Sequence, residues 1–477
     1  MNFGSRYMGR TLAGLLLALP LGAQQIDSGF PKGAITVPLP APPLDPAKPT
    51  VALPLKPGGQ EKSETLESLL KLAEENNPTL VQAAAQVRGE EGQARQAGLW
   101  FNPEVRYEGN SIGVHPEGKE AGLGHTAGDF QGLNFEQRVV TAGKLRLSRE
   151  KYQARAEDAK EVQKIQKLQV SNEVRIRYYE ALAKSRLFDI HGEMLKAMED
   201  HWLTTKEMFN EGQANEVEFR QSKVALERQR LRTKMAENSY RASVERLGAV
   251  VGVILSSSRI TGSLEGDANL IDFGPALSRI LAQSPELAEA KAILKSHEFR
   301  LKREKVQPVP DLYFSGGYGY DFQWRQPVFN AGLRFSLPIF DRNQGTVQTA
   351  EADLLRQQKE VRRVELDLRQ RFASEYENYL TALQHVQEYE STILPEARQA
   401  YETQLKSYKI AREDWPAVLA VEGQYQQRRE TYVQSLLEWR KAETAINGFL
   451  LVGGGLKASM GVTPPGAGAL DATSKPR

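Results

Sequence analysis

Side chains able to do chemistry are plentiful in this chain, but they are scattered. Six histidines stand at His115, His125, His191, His201, His297 and His385. None has a histidine partner four residues away on a helix, and none sits among acids at ligand spacing, so no zinc site is expected. The sequence has no cysteine, which removes thiolate metal sites, disulfides, a cysteine nucleophile and a lipid-modified N-terminal cysteine. Gly316-Gly317 and Gly453-Gly454-Gly455 lack the lysine and helix context of a nucleotide-binding loop. No catalytic residue, metal or cofactor is expected. With 62 Lys+Arg against 60 Asp+Glu, there is no basic excess to hold nucleic acid.

The polar residues with an ordered placement are those that alternate with apolar ones. Val105-Arg106-Tyr107-Glu108, Leu133-Asn134-Phe135-Glu136 and Leu333-Arg334-Phe335-Ser336-Leu337 read as strands, as does Leu312-Tyr313-Phe314-Ser315 less cleanly. A period of two sends alternate side chains to opposite faces of a sheet. Arg106, Glu108, Asn134, Glu136, Arg334 and Ser336 then share one kind of face, and Tyr107, Phe135 and Phe335 the other. Strands of about ten residues, tilted, are long enough to cross a membrane. In a barrel of that kind the polar set lines a wet lumen and the aromatic set meets lipid. Trp100, Trp324, Tyr318 and Tyr320, near strand ends, suit an interfacial belt.

What positions these strands is a unit written twice. Asn77-Pro78-Thr79-Leu80 and Ser284-Pro285-Glu286-Leu287 each open a helical run. The offset of 207 residues from Pro78 to Pro285 equals that from Pro103 to Pro310. A constant offset over such a span marks an internal repeat. Gly132-Leu133-Asn134-Phe135 and Gly332-Leu333-Arg334-Phe335 continue the register at a slightly shorter offset, which places the length change in a loop between the paired strands.

Each copy follows one plan: a short helix (Glu64 to Glu75 in the first), a proline-started helix (Pro78 to about Ala97), a strand pair, then two very long helices. Gly143 to Glu211 contains no proline; about 68 residues at 1.5 Å each form a rod of roughly 100 Å. Its counterpart, Asn343 to Ala411, carries Pro395 in mid-course, where a kink or break is expected. Phe188, Leu195, Trp202 and Phe209 recur every seven residues, flanked by Leu187, Met194, His201 and Met208. Leu394, Tyr401 and Tyr408 repeat the spacing in the second copy. Sevenfold columns indicate coiled-coil packing, and two adjacent columns suit a ring of helices, with a two-helix hairpin as the simpler alternative.

The ends differ in character. Residues 1–23, with Arg6 and Arg10 before the apolar stretch Leu12 to Leu21, read as a signal peptide. Residues 24–63 are a proline-rich linker and residues 453–477 a disordered tail. The first repeat spans 64–252, with strands at about 103–140 and long helices at about 142–252. A linker at 253–270 leads to the second repeat, 271–452, with strands at about 310–340 and long helices at about 343–451.

This order of elements, together with Arg95-Gln96-Ala97-Gly98-Leu99-Trp100-Phe101-Asn102-Pro103-Glu104, Leu337-Pro338-Ile339-Phe340-Asp341 and Tyr408-Lys409-Ile410-Ala411, resembles the TolC family of outer-membrane efflux channels, nearest its cation-efflux branch. The resemblance covers roughly Glu64 to Leu451. It implies a mainly α fold with a transmembrane β part. It also implies a homotrimer that joins its strand pairs into a twelve-stranded barrel and its helices into a twelve-helix tunnel. The implied function is a passive exit duct in the outer membrane of a Gram-negative bacterium, served by a periplasmic adaptor protein and an inner-membrane pump, with metal cations favoured as cargo over drugs or exported proteins. Sequence logic agrees on assembly, because four strands cannot close a barrel and an open edge cannot sit in lipid.

The resemblance also directs attention to the helical tips, the turns at Asn210 to Glu218 and Ile410 to Val418. Where the family often places an acidic pair after the second turn, this chain has Ala417 and Ala420. Nearby stand Glu218, Arg412, Glu413 and Asp414 as gate candidates, with Tyr408 at the place of a latch tyrosine. Glu413 and Asp414 also read as helix N-terminal acids, Glu218 as a solvated helix face and Tyr408 as plain packing. The competing function is a periplasmic coiled-coil scaffold or adaptor without a pore. An enzyme on a helical scaffold has no candidate site.

Overall fold

The computed structural model describes residues 63–110, 130–255, 259–266, 270–322, 324–409 and 415–457. The expected signal peptide, nearly all of the proline-rich linker and most of the tail lie outside these residues. The first repeat runs β1 (Ser63–Glu64), α1 (Leu66–Asn76), α2 (Pro78–Ala97), β2 (Glu104–Asn110), β3 (Phe130–Val139), α3 (Lys144–Asn210) and α4 (Glu216–Val251). The second runs β4 (Arg259–Ile260), α5 (Phe273–Gln283), α6 (Pro285–Val306), β5 (Leu312–Asp321), β6 (Gln326–Arg334), α7 (Gln344–Glu388), a π-turn (Tyr389–Ile393), α8 (Leu394–Lys409) and α9 (Trp415–Asn447).

Local chemistry explains the boundaries. Thr65 and Ser68 form a capping box that starts α1, satisfying backbone donors the helix cannot pair itself. Asn77 caps α2 through the Thr79 amide, with Pro78 at the first helical position, where its missing N–H costs nothing. Asn77 also donates to the carbonyls of Val250 at 2.7 Å and Gly455 at 3.1 Å, so one side chain ties the start of α2 to the end of α4. The strand-to-helix corners use left-handed backbone in both repeats: Gly143 before α3 at φ +67° and Asn343 before α7 at φ +60°. Glycine and asparagine are the residues that tolerate this best.

α3 is one unbroken helix of 67 residues. Its counterpart is interrupted where the sequence places Pro395. The proline lacks an N–H and its ring crowds the Ser391 carbonyl; the helix widens into the π-turn just ahead of it.

α3 packs along α4, α6, α2 and α9, and α7 along α9 and α6. The main core is built from Leu69, Val174, Leu247, Ile280, Leu368, Phe372, Tyr379, Trp439 and Ile446, all essentially inaccessible. The segment between the repeats is tethered rather than free. β4 pairs in parallel with β1, Tyr178 donates to the Thr261 carbonyl at 2.7 Å, and Arg440 donates to that of Leu264 at 2.8 Å. Toward the helical tips a smaller cluster, Met194, Met198 and Leu226, takes in Leu195, Trp202 and Leu419. Of the two sevenfold columns on α3, Met194 and His201 are buried, whereas Phe209 is exposed. Among the described residues no helix is long and apolar enough to cross a membrane.

Candidate functional sites: an open two-faced sheet and a helical tip

β2, β3, β5 and β6 form one antiparallel sheet in that order, so β2 and β6 are both edges. The register sorts the side chains cleanly. Arg106 lies opposite Asn134, Asn134 opposite Gly317 and Gly317 opposite Asn330. Glu136 lies opposite Ser315, and Tyr313 joins Arg138 to Arg334. Arg106, Glu108, Asn134, Glu136, Asn330 and Arg334 thus occupy one face. Val105, Tyr107, Leu133, Phe135, Phe314, Tyr318, Phe329 and Leu333 occupy the other. These apolar residues range from 47% exposed (Phe135) to 73% (Phe329). A continuous apolar face of this kind marks contact with lipid or protein.

The polar face is internally linked. Arg334 pairs with Glu136 at 2.7 Å and lies over the Tyr313 ring, and Asn134 donates to Glu108 at 3.0 Å. Ser336 departs from the expected set, because β6 ends at Arg334 and the chain leaves the ladder before Pro338, which has no donor to offer. Phe335 leaves the strand for the same reason. Gly109-Asn110-Ser111-Ile112-Gly113 has the spacing of a nucleophile elbow. That device needs a strand-to-helix turn, however, and Ser111 lies outside the described residues; the next described element, β3, is a strand paired with β2.

At the root of the sheet sits a knot that the alternation did not reveal. Asp311 accepts from Arg138 Nε and Nη2 at 3.2 and 2.7 Å, from Lys144 Nζ at 2.8 Å and from the Thr141 amide at 3.3 Å. Lys144 also donates to the Val309 carbonyl, and Arg138 stacks on Phe101. One carboxylate therefore joins β3, the first turn of α3 and the entry to β5.

At the tip between α3 and α4, Asn215 and Glu218 form a capping box. The Glu218 amide donates to Asn215 Oδ1 at 2.8 Å, and the Asn215 amide to Glu218 Oε2 at 3.2 Å. The Glu218 carboxylate is thus engaged in starting α4 as well as standing on its face. Tyr408 packs edge-on against Trp415, which stacks on the buried His201 ring. Burial, and then the charge of Glu218, push the Tyr408 phenol above its ordinary range. Burial holds His201 at about 4, so it is neutral. Arg412, Glu413 and Asp414 lie outside the described residues.

Two groups of acids escaped notice in the sequence. Glu422 on α9 is 3% exposed, one turn beyond Val418. Asp158 and Glu289 face each other with Glu90 nearby. Burial first, then the neighbouring carboxylates, raise each of the two to about 7. The i, i+4 spacing of Glu422 from Val418 was the available signal; the depth of the carboxylates was not legible. Among the described residues no group of three metal-type ligands could hold an ion.

A duplicated chain whose four strands present one wet face, one greasy face and two open edges, all mounted on helical rods, has the build of an outer-membrane efflux protein. The chain is a member of the Outer membrane efflux protein family, which it matches over residues 69–253 and 276–450, one match per repeat. It is 27% identical over 191 residues to the cobalt-zinc-cadmium resistance protein CzcC of Cupriavidus metallidurans, covering 39% of this chain and 45% of that one. It is 20% identical over 279 residues to the nickel-cobalt-cadmium resistance protein NccC of Alcaligenes xylosoxydans xylosoxydans, covering 57% and 60%. The matches thus span about half the length of these curated relatives. In fold it is similar to CusC (TM-score 0.67, 18% identity, 86% of this chain and 99% of that one) and to the outer-membrane channel OprN (0.68, 16%, 81% and 90%).

Proposed function

We propose that three copies of this chain close a twelve-stranded barrel in the outer membrane of a Gram-negative bacterium, with their paired helices forming a periplasmic tunnel. The duct is passive, and its helical tips meet a periplasmic adaptor that couples it to an inner-membrane pump. One observation carries this reading: the four-stranded sheet has free edges at β2 and β6 and segregates polar from apolar side chains. An open edge in hydrocarbon leaves backbone donors unpaired, which lipid does not permit, so the edges must meet other copies. In that closure Arg106, Glu108, Asn134, Glu136 and Arg334 line the lumen.

The names of the two curated relatives support divalent transition-metal cations as cargo. The chain holds no ion of its own in this reading; selectivity belongs to the pump. Reconstitution into a planar bilayer, with native mass measurement in detergent, tests the duct. A conducting trimer supports it, and a soluble monomer after removal of residues 1–23 supports the scaffold alternative instead. Deletion of the gene should sensitise cells to cobalt, zinc, cadmium or nickel; unchanged tolerance to all four would remove the cargo assignment.

A further inference from the structure

Among the described residues Glu422 is the strongest unexplained group. Its side chain is nearly inaccessible, and among the described residues nothing donates a hydrogen bond to it and no cation pairs with it. It sits on the seam that α9 presents to its neighbours, in line with the fully buried Val418. Across from it on α8 is Tyr401, whose ring stacks on Tyr425 of α9.

The surrounding charges are engaged elsewhere or lie exposed to water. On α8, Arg398 is exposed and bound to Glu402 at 2.9 Å, Lys406 is exposed, and Tyr401 and Tyr408 are the facing phenols. On α3, His201 is neutral and stacked on Trp415, and Glu193 pairs with Arg429 of α9 at 2.8 Å. On α4, Glu218 caps its own helix. A carboxylate in such a seam has no stabilising partner, so its neutral form is the one that packs.

Within its own protomer the helix opposite is poorly anchored. None of the side chains of α8 from Leu394 to Tyr408 is buried, and the π-turn that joins it to α7 has no buried residue either. An element with so few buried contacts opens at low cost. Its upper end is already a break next to Pro395, and its lower end is the tip.

We propose that Glu422 is a proton-operated latch: with the carboxyl neutral, α8 closes on α9, and loss of the proton forces water or the helices apart, swinging α8 about the π-turn. The inference rests on the proposed channel only for its consequence, which is that mild acid holds the inner mouth shut and mild alkali loosens it. Burial, with no opposing contribution, places the transition of this group at about 7.

The chain has no native cysteine, so Lys406→Cys with Ala420→Cys, both at exposed positions near the tip, accepts a pair of spin labels in the full-length protein in detergent. Between pH 5.5 and 8.5 the distance distribution should shift to longer values and level off above about 7. From the ordinary carboxylate range up to that point, the open-to-closed ratio should rise up to about tenfold per pH unit for one proton. Glu422→Gln and Glu422→Leu should each hold the short distance throughout. A wild-type distance that ignores pH, or a Glu422→Gln pair that titrates like the parent, would overturn the latch. Conductance in a bilayer separates the two ideas. A distance that titrates in a protein that never conducts supports the latch and removes the channel; a channel whose opening and distance both ignore pH does the reverse.

Discussion

Truncating Asp311 to alanine should cost more than any other single change at the sheet root. The carboxylate receives two bonds from Arg138, one from Lys144 and one from the Thr141 amide. The Lys144 side chain is 5% exposed. Removing one partner of a buried pair costs about 3–5 kcal/mol, because the remaining charge stays dry and unpaired. Lys144 retains the Val309 carbonyl, and Arg138 retains its stack on Phe101 and some access to water. Those residual contacts place the loss near the lower end, about 3 kcal/mol. Asp311→Asn keeps an acceptor and should lose less, roughly 1–2 kcal/mol. Asp311→Ala combined with Lys144→Met removes the stranded ammonium and should regain roughly 2 kcal/mol relative to the sum of the single changes. Denaturant unfolding of the detergent-solubilised protein, followed by helical circular dichroism, measures all three. If Asp311→Ala lies within about 0.5 kcal/mol of the parent, or if the double change is simply additive, the knot does not hold the strands to α3 and the reasoning fails.

Three further outcomes follow from the same structure. Phe329→Arg, on the apolar face, should cost about 2–4 kcal/mol of barrel stability if that face meets lipid at mid-depth, whereas Asn330→Arg on the opposite face should cost little; the yield of membrane-inserted protein distinguishes them. Asp158 and Glu289 are raised to about 7 in the fold. Their contribution is complete below the ordinary carboxylate range and is lost as pH rises through 7. Thermal unfolding should therefore occur a few degrees higher at pH 6 than at pH 8, and Asp158→Asn should flatten that difference. Phe372, fully buried between α7 and its neighbours, should lose about 3–5 kcal/mol on change to alanine, read as a lower denaturant midpoint.

Much of the architecture was legible because it is periodic. Pro78 and Pro285 announce equivalent helices, and alternation marks the strands. The absence of proline from Gly143 to Glu211 sets one rod, while Pro395 interrupts the other. Each of these features acts within a few residues of itself. The knot at Asp311 was not legible, because its partners Arg138 and Lys144 lie 173 and 167 residues away in sequence. Glu422 read as an ordinary acid on a charged helix, since a single turn does not reveal how deep its face will lie. Glu218 was half legible: Asn215-Glu216-Val217-Glu218 carries the capping-box spacing, a signal overshadowed by the search for a gate. Ser336 was placed by extending the alternation past the point where Pro338 ends the ladder.

Doubling a structural unit leaves a spare. The first copy keeps its long helix whole and the second interrupts it, so the two hairpins are no longer interchangeable parts. In a threefold ring, stiff staves and yielding staves would alternate. In that proposed ring the stiff ones would keep the axis of the cylinder while the others alter its aperture. Changes at residues 389 to 395 would then be felt at the mouth and spared at the sheet, so lineages could retune how readily the duct opens without rebuilding how it sits in the membrane.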